Sequence, residues 1–184
     1  TFTSDGDAHE SELWTDANRK ISPTGVVSTV AGRDPTMGNG SGYADGVGTA
    51  ARFNNPGQIA FDASDNLYVA DEANHRIRKI TPAGLVTTLA GQSYGVVDGF
   101  GTSAKFDNPH ALTVDKATGD VYVADYDGHT VRRITPAGNV TTVAGVAYQP
   151  GVFFGSLPAG LNKVGGLAVR GDRRQSVGRR TTGG

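Results

Sequence analysis

Several residues able to do chemistry recur at matched spacing. Asp71 and Asp125 lie 54 positions apart, as do Arg78 and Arg132, and His75 and His129. Carboxylates and guanidinium groups can pair or bind charged ligands. Imidazoles beside carboxylates can ligate a metal or move protons. Each set also has a structural reading. A residue that returns in every unit serves the unit, so Asp and Arg on one hairpin are expected to pair or to satisfy turn amides. If exposed, such a pair would add only about 0–1 kcal/mol. A metal site needs ligands converging on one point, which two histidines on separate units do not supply. His110 is set against Gln58 as its counterpart, which gives it no repeated role.

Other candidates fall to simpler readings. Asp45-Gly46 and Asp98-Gly99 lack the run of oxygen donors of an EF-hand loop and read as turns. The glycine-rich stretch 38–42 has no lysine and precedes no helix, which argues against a phosphate cradle. Thr87, Thr88, Thr141 and Thr142 read as sheet residues. No nucleophile elbow and no Ser-His-Asp order is present. No catalytic, cofactor-binding or metal-ligating residue is therefore expected, and no cofactor.

These residues sit inside a long repeat. "NLYVADEANHRIRKITPAGLVTTLAG" (66–91) returns as "DVYVADYDGHTVRRITPAGNVTTVAG" (120–145). Ahead of each unit, "DGVGTAARFNNP" (45–56) returns as "DGFGTSAKFDNP" (98–109). The step is 53 in the linker and 54 in the unit, and the extra residue falls in a turn. An insertion confined to a turn is what a shared structural unit predicts.

Each unit reads as four short strands of β-branched and aromatic residues. "TPAG" joins the third to the fourth through a proline turn with a left-handed glycine. Glycine is 27 of 184 residues, about twice the average, which favours tight turns over helices. "LYVA" and "VYVA" are apolar at every position, so both faces of that strand must be covered. In a single-layer unit only neighbouring units can do this, as when propeller blades stack around an axis.

On these residues the chain resembles the NHL repeat, a blade of a six-bladed β-propeller, over roughly residues 12–169. Its "DGxGTAARFNNP" linkers resemble those of bacterial NHL proteins, many of them extracytoplasmic. The resemblance implies an all-β fold of four-stranded antiparallel blades in an incomplete ring. It also implies a binding or scaffolding module for a protein or glycan, held by blade-connecting loops. Two alternatives come with the family. One is a lyase or hydrolase with metal-binding histidines around the axial channel, but the four histidines here form no such cluster. The other is an RNA binder, with "RIRK" and "VRR" contributing to a basic face. The net charge of −1 gives no bulk pull toward nucleic acid or anionic lipid.

The expected organisation is a degenerate partial blade (1–32), in which Leu13 and Trp14 stand for Leu67 and Tyr68. A linker (33–56), a complete blade (57–91), a second linker (92–109) and a second complete blade (110–145) follow. Residues 146–169 supply a linker and the first strand of another blade, at 164–169. Two complete blades do not close a six-bladed ring. The expectation is therefore a fragment, with assembly of several copies through open blade edges, or an open array, as the alternatives. Residues 170–184 are basic and patternless. Read one base later, a permitted coding of Asp172–Arg179 spells Thr-Ala-Gly-Asn-Leu-Trp-Val, the wording the next blade needs. A shifted reading frame is one expectation for this tail, beside a tail for nucleic acid or an acidic partner and an Arg-Gly-Asp adhesion tripeptide at Arg170–Asp172. Cysteine is absent, which excludes disulfides, and no apolar run reaches membrane-span length. The polar start "TFTSDGDAHE" has no signal-peptide pattern.

Overall fold

The computed structural model describes residues 1–12, 15–33, 41–151 and 161–169. Its strands are β1 (Ala8–Glu12), β2 (Ala17–Ile21), β3 (Val27–Gly32), β4 (Gly46–Val47) and β5 (Pro56–Phe61). Next come β6 (Leu67–Asp71), β7 (Arg76–Ile80), β8 (Leu85–Ala90) and β9 (Gly99–Phe100). The last are β10 (Pro109–Val114), β11 (Val121–Asp125), β12 (Thr130–Ile134) and β13 (Asn139–Gly145). They form three antiparallel sheets, one blade each, in the orders β1-β2-β3, β4-β8-β7-β6-β5 and β10-β11-β12-β13-β9. No helix among the described residues is long and apolar enough to cross a membrane.

The apolar second strand is covered on both faces, as its pattern requires. All five residues of β6 are buried. Leu67 and Val69 join a cluster with Ala31 and Phe53 on the side of the first blade. Tyr68 and Ala70 face the other way, into a cluster with Leu112, Val121 and Val123 of the third. Period-two alternation thus sends successive residues into two different inter-blade cores. "TPAG" forms the expected turn: Gly84 N–H donates to the Thr81 carbonyl at 2.8 Å, with Gly84 at φ +80°.

Three expectations are corrected. Each complete blade has five strands, because the linker lends a two-residue strand. β4 pairs with β8, and β9 with β13, so a linker segment covers the outer edge of the blade it precedes. An unpaired edge is thereby shortened.

The first blade is not shortened in its second strand. Ala8–Glu12 pairs with Ala17–Ile21 as Leu67–Asp71 pairs with Arg76–Ile80, a constant step of 59 without deletion. Ala8 and His9 stand for Leu67 and Tyr68. Leu13 and Trp14 lie outside the described residues.

Residues 162–169 form no strand. A strand needs a ladder partner, and none of the described residues follows to supply one. The basic tail, 170–184, lies outside the described residues.

Candidate functional site

In each antiparallel blade the ends of the second and fourth strands and the starts of the first and third share one end. The linker residues just before the first strand, Asn54 and Asp107 among them, lie at that end too, and it is called the loop end below. The recurring charges meet here, in the interior. Arg78 and Asp71 are fully buried and 2.7 Å apart. The Arg78 guanidinium also donates to the carbonyls of Arg52 and Ala44 and to Asp45. Asp71 accepts the backbone N–H of Asn54 at 2.8 Å. Arg132 repeats the set with Asp125, the Lys105 carbonyl and Asp98, and Asp125 accepts the Asp107 N–H. Each guanidinium lies over a buried ring, Phe53 or Phe106, at about 5 Å. The pair is thus no exposed ornament. It pins the linker motif to its blade, and removing one partner would strand a buried charge.

Burial raises the carboxyls of Asp71 and Asp125, the latter to about 7, with the arginine contacts offsetting only part of the desolvation. Asp98 behaves oppositely. Burial pushes it up, but the Thr142 amide and hydroxyl and the Arg132 guanidinium outweigh that and hold it below the ordinary value.

The recurring histidines are clasps. His75 and His129 are left-handed, at φ 54° and 56°, and Asp16 takes the same conformation at φ 52°. Each turns a side-chain acceptor across the next junction. Asp16 accepts the Asn55 N–H at 2.7 Å, His75 the Asn108 N–H at 3.4 Å, and His129 the Lys163 N–H at 3.2 Å. No group of three His, Asp or Glu among the described residues is placed to hold a metal.

The residues that break the repeat gather at the junction of the second and third blades. The strand registers align Pro56 with Pro109, so the counterpart of His110 is Gly57, not Gln58. Gly57 leaves space that a side chain would take: a Cβ there would lie 2.1 Å from Glu72 Oε1. That carboxylate instead meets His110 Nδ1 at 2.7 Å, and Asn55 donates to its other oxygen at 3.2 Å. Glu72 is buried, and burial raises its carboxyl, offset in part by His110. The His110 side chain is 44% exposed.

The third blade has Tyr126 where Glu72 stands in the second, and its ring lies 5.6 Å from that of His110. Lys163 sits over the Tyr126 ring and pairs with Asp127 at 2.9 Å. Farther out, Tyr94 and Tyr148 occupy matching positions after "AG". Their rings stack at 6.3 Å, they are 62% and 46% exposed, and His75 meets Tyr94 edge-on. Asp107 is buried between the two clasp histidines, and burial, with Asp127, raises its carboxyl. The junction therefore offers a fixed imidazole, a buried carboxylate behind it and a pair of exposed aromatic rings.

The family model for the NHL repeat matches residues 53–80 and 106–134, the first three strands of each complete blade. Both complete blades thus carry an NHL repeat. NHL repeat-containing protein 2 of Homo sapiens is 34% identical over 114 residues, covering 59% of this chain and 16% of that protein. An auxiliary nutrient binding protein from Bacteroides ovatus is 27% identical with a TM-score of 0.59, over 74% of this chain and 35% of the other. A structural-genomics protein from Bacteroides thetaiotaomicron shares the fold at 23% identity with a TM-score of 0.66, over 86% and 38%. The chain thus spans about a sixth of the curated relative and over a third of each solved structure.

Within the NHL blades, "RIRK" and "VRR" build little of a basic face. Arg78 and Arg132 are buried, Arg76 lies over the Tyr43 ring, and Arg133 pairs with Asp120. Glu72 escapes the sequence reading because "ADEAN" reads as a polar loop. The available signal is that Glu72 and His110 both depart from the repeat at positions that meet in space.

Proposed function

We propose that the chain is a binding module whose partner, a glycan, docks on the loop end at the junction of the second and third blades. The observation that carries this reading is His110, half-exposed, held by buried Glu72 at 2.7 Å and bordered by the Tyr126 ring, with exposed Tyr94 and Tyr148 stacked farther out at the same junction. Tyrosines give rigid, amphipathic contact area at low entropy cost, suited to the apolar face of a sugar ring. The imidazole and the nearby Asn and Asp side chains supply directional hydrogen bonds for hydroxyl groups. The nutrient-binding role of the Bacteroides ovatus neighbour supports the same reading. A glycan array probed with the wild-type chain, His110→Ala and Tyr94→Ala/Tyr148→Ala tests it. The expected result is selective retention of some glycans, lost in both variants. Retention of none, or equal retention by the variants, would overturn it.

A second reading, a protein partner or a second copy of the chain, rests on a different observation. Val47 and Phe100 recur in the short outer strands and are 61% and 64% exposed. Light scattering of the wild type against Val47→Ser/Phe100→Ser tests it. A mass above the monomer that falls in the variant would support self-association, and a monomer in both would end it.

A further inference from the structure

We propose that a groove at the opposite end, between the first and second blades, binds a small organic cation: a primary ammonium on a short apolar stem. The site lies away from the loop end and does not depend on the glycan reading.

The groove has a volume of about 420 Å³, within the range of roughly 300–1,000 Å³ for ligand pockets. Its origin is legible in the repeat. At the same place between the second and third blades, Tyr68 fills the space. Its hydroxyl donates to Asp62 at 3.2 Å, and Lys79 lies over its ring at 5.6 Å. The step of 59 puts His9 where Tyr68 stands and Val30 where Leu89 stands. Both are smaller. Val30, Leu67, Ile80 and Pro82 remain as apolar walls.

Charge decides the ligand class. Asp5, Asp7, Asp65 and Lys20 line the groove. Lys20 is taken by Asp7 at 2.8 Å. Asp5 is held by the Thr3 hydroxyl and the Asp7 amide, and Asp65 by the Ser4 amide and hydroxyl. Neither pairs directly with a cationic side chain among the described residues, though the Lys20 charge reaches Asp5, so three carboxylates share one lysine at the groove. A metal dication is not the fit, since no three such groups converge among the described residues.

A second observation points to a ligand. His9 also lines the groove, is only 8% exposed, and both of its ring nitrogens lack a hydrogen-bond partner. Buried polar groups are rarely left so. Burial lowers its pKa, with the Asp7 charge acting the other way. A neutral imidazole carries one donor and one acceptor, which a bound ligand or its water can meet. The carboxylates suit the ammonium, and the apolar walls suit the stem.

The test is a ¹H–¹⁵N NMR titration of the full chain with n-butylammonium chloride, beside 1-butanol and sodium butyrate. The expected result is saturable shifts at Asp5, His9, Thr29 and Gly84 with butylammonium, and binding of the two controls weaker by about tenfold or more, 1.4 kcal/mol. Asp5→Asn/Asp65→Asn should abolish the shifts without disturbing the fold. His9→Tyr/Val30→Leu, which rebuilds the filling of the other junction, should abolish them as well. No saturable shift, an equal response to 1-butanol, or binding that survives the carboxylate changes would overturn the proposal.

Discussion

His75 Nδ1 accepts the backbone N–H of Asn108 across the junction of the second and third blades, at 3.4 Å. Asp16 makes the same contact with Asn55 at 2.7 Å, one junction earlier. The geometry is shared, but one acceptor is a carboxylate and the other an imidazole. Hydrogen bonds to charged groups contribute more, so Asp16→Ala should cost about 1.5–3 kcal/mol and His75→Ala about 0.5–1.5 kcal/mol. Chemical denaturation measures both. A larger loss at His75 would contradict the clasp account.

The arginine hubs predict a contrast within one network. Arg132→Met leaves Asp125 buried without its partner and should cost about 3–5 kcal/mol. Asp98, the solvent-facing partner of the same guanidinium, has a side chain 50% exposed. Asp98→Asn should therefore cost no more than about 1 kcal/mol. Similar losses in the two variants would mean that Arg132 is not the hub.

The buried carboxyls give a pH dependence of definite sign. Burial pushes Asp125 up to about 7 and raises Asp71 and Glu72. Between the ordinary carboxyl value near about 4 and pH about 7, these carboxyls and the raised Asp107 bind more protons folded than unfolded, against the single proton withheld by the lowered imidazole of His9, so stability falls as pH rises. Below pH about 4, Asp62, Asp98 and Asp127, held low in the fold, reverse the slope, and stability falls with pH. Thermal unfolding across pH should show a maximum near about 4–5, and Asp125→Asn should flatten the decline above it. A wild-type midpoint that rises from pH about 5 to about 8 would contradict this sign.

Gly145 closes the last strand of the third blade at φ +85°, and a Cβ there would lie 2.2 Å from the His129 carbonyl oxygen. Gly101 is also left-handed, at φ +53°, but open space surrounds it. Gly101→Ala should cost only the left-handed penalty, about 1–2 kcal/mol. Gly145→Ala should cost clearly more, because a backbone atom must move. Denaturation midpoints that rank the two the other way would refute the close approach.

The blades are legible in the sequence because their physics is local and repeated. "LYVA" demands cover on both faces, and "TPAG" sets its own turn. The first blade is harder to read, since β1 is "AHESE" and carries no apolar pattern. Its place comes from the ladder with β2 and from Glu12, which meets Arg19 as Asp71 meets Arg78. Counting back from "RKI" without a gap would have found it. The burial of Arg78 and Arg132 is not legible from residue type, because arginine is ordinarily exposed. The clue is that each returns with a linker aspartate, Asp45 or Asp98. The meeting of Glu72 and His110, 38 positions apart, belongs to tertiary structure alone.

The central claim is that the buried residues kept in the repeat hold the blades, while Glu72 and His110, which leave it, form the binding site together with the exposed tyrosines. Isothermal titration with a glycan selected on the array, paired with thermal unfolding, tests it most directly on His110→Ala and Asp71→Asn. The account predicts that His110→Ala loses binding by about tenfold or more, 1.4 kcal/mol, at an unchanged midpoint. It predicts that Asp71→Asn lowers the midpoint and keeps the affinity wherever the chain is folded. Retained binding in His110→Ala, or lost binding in folded Asp71→Asn, would contradict it.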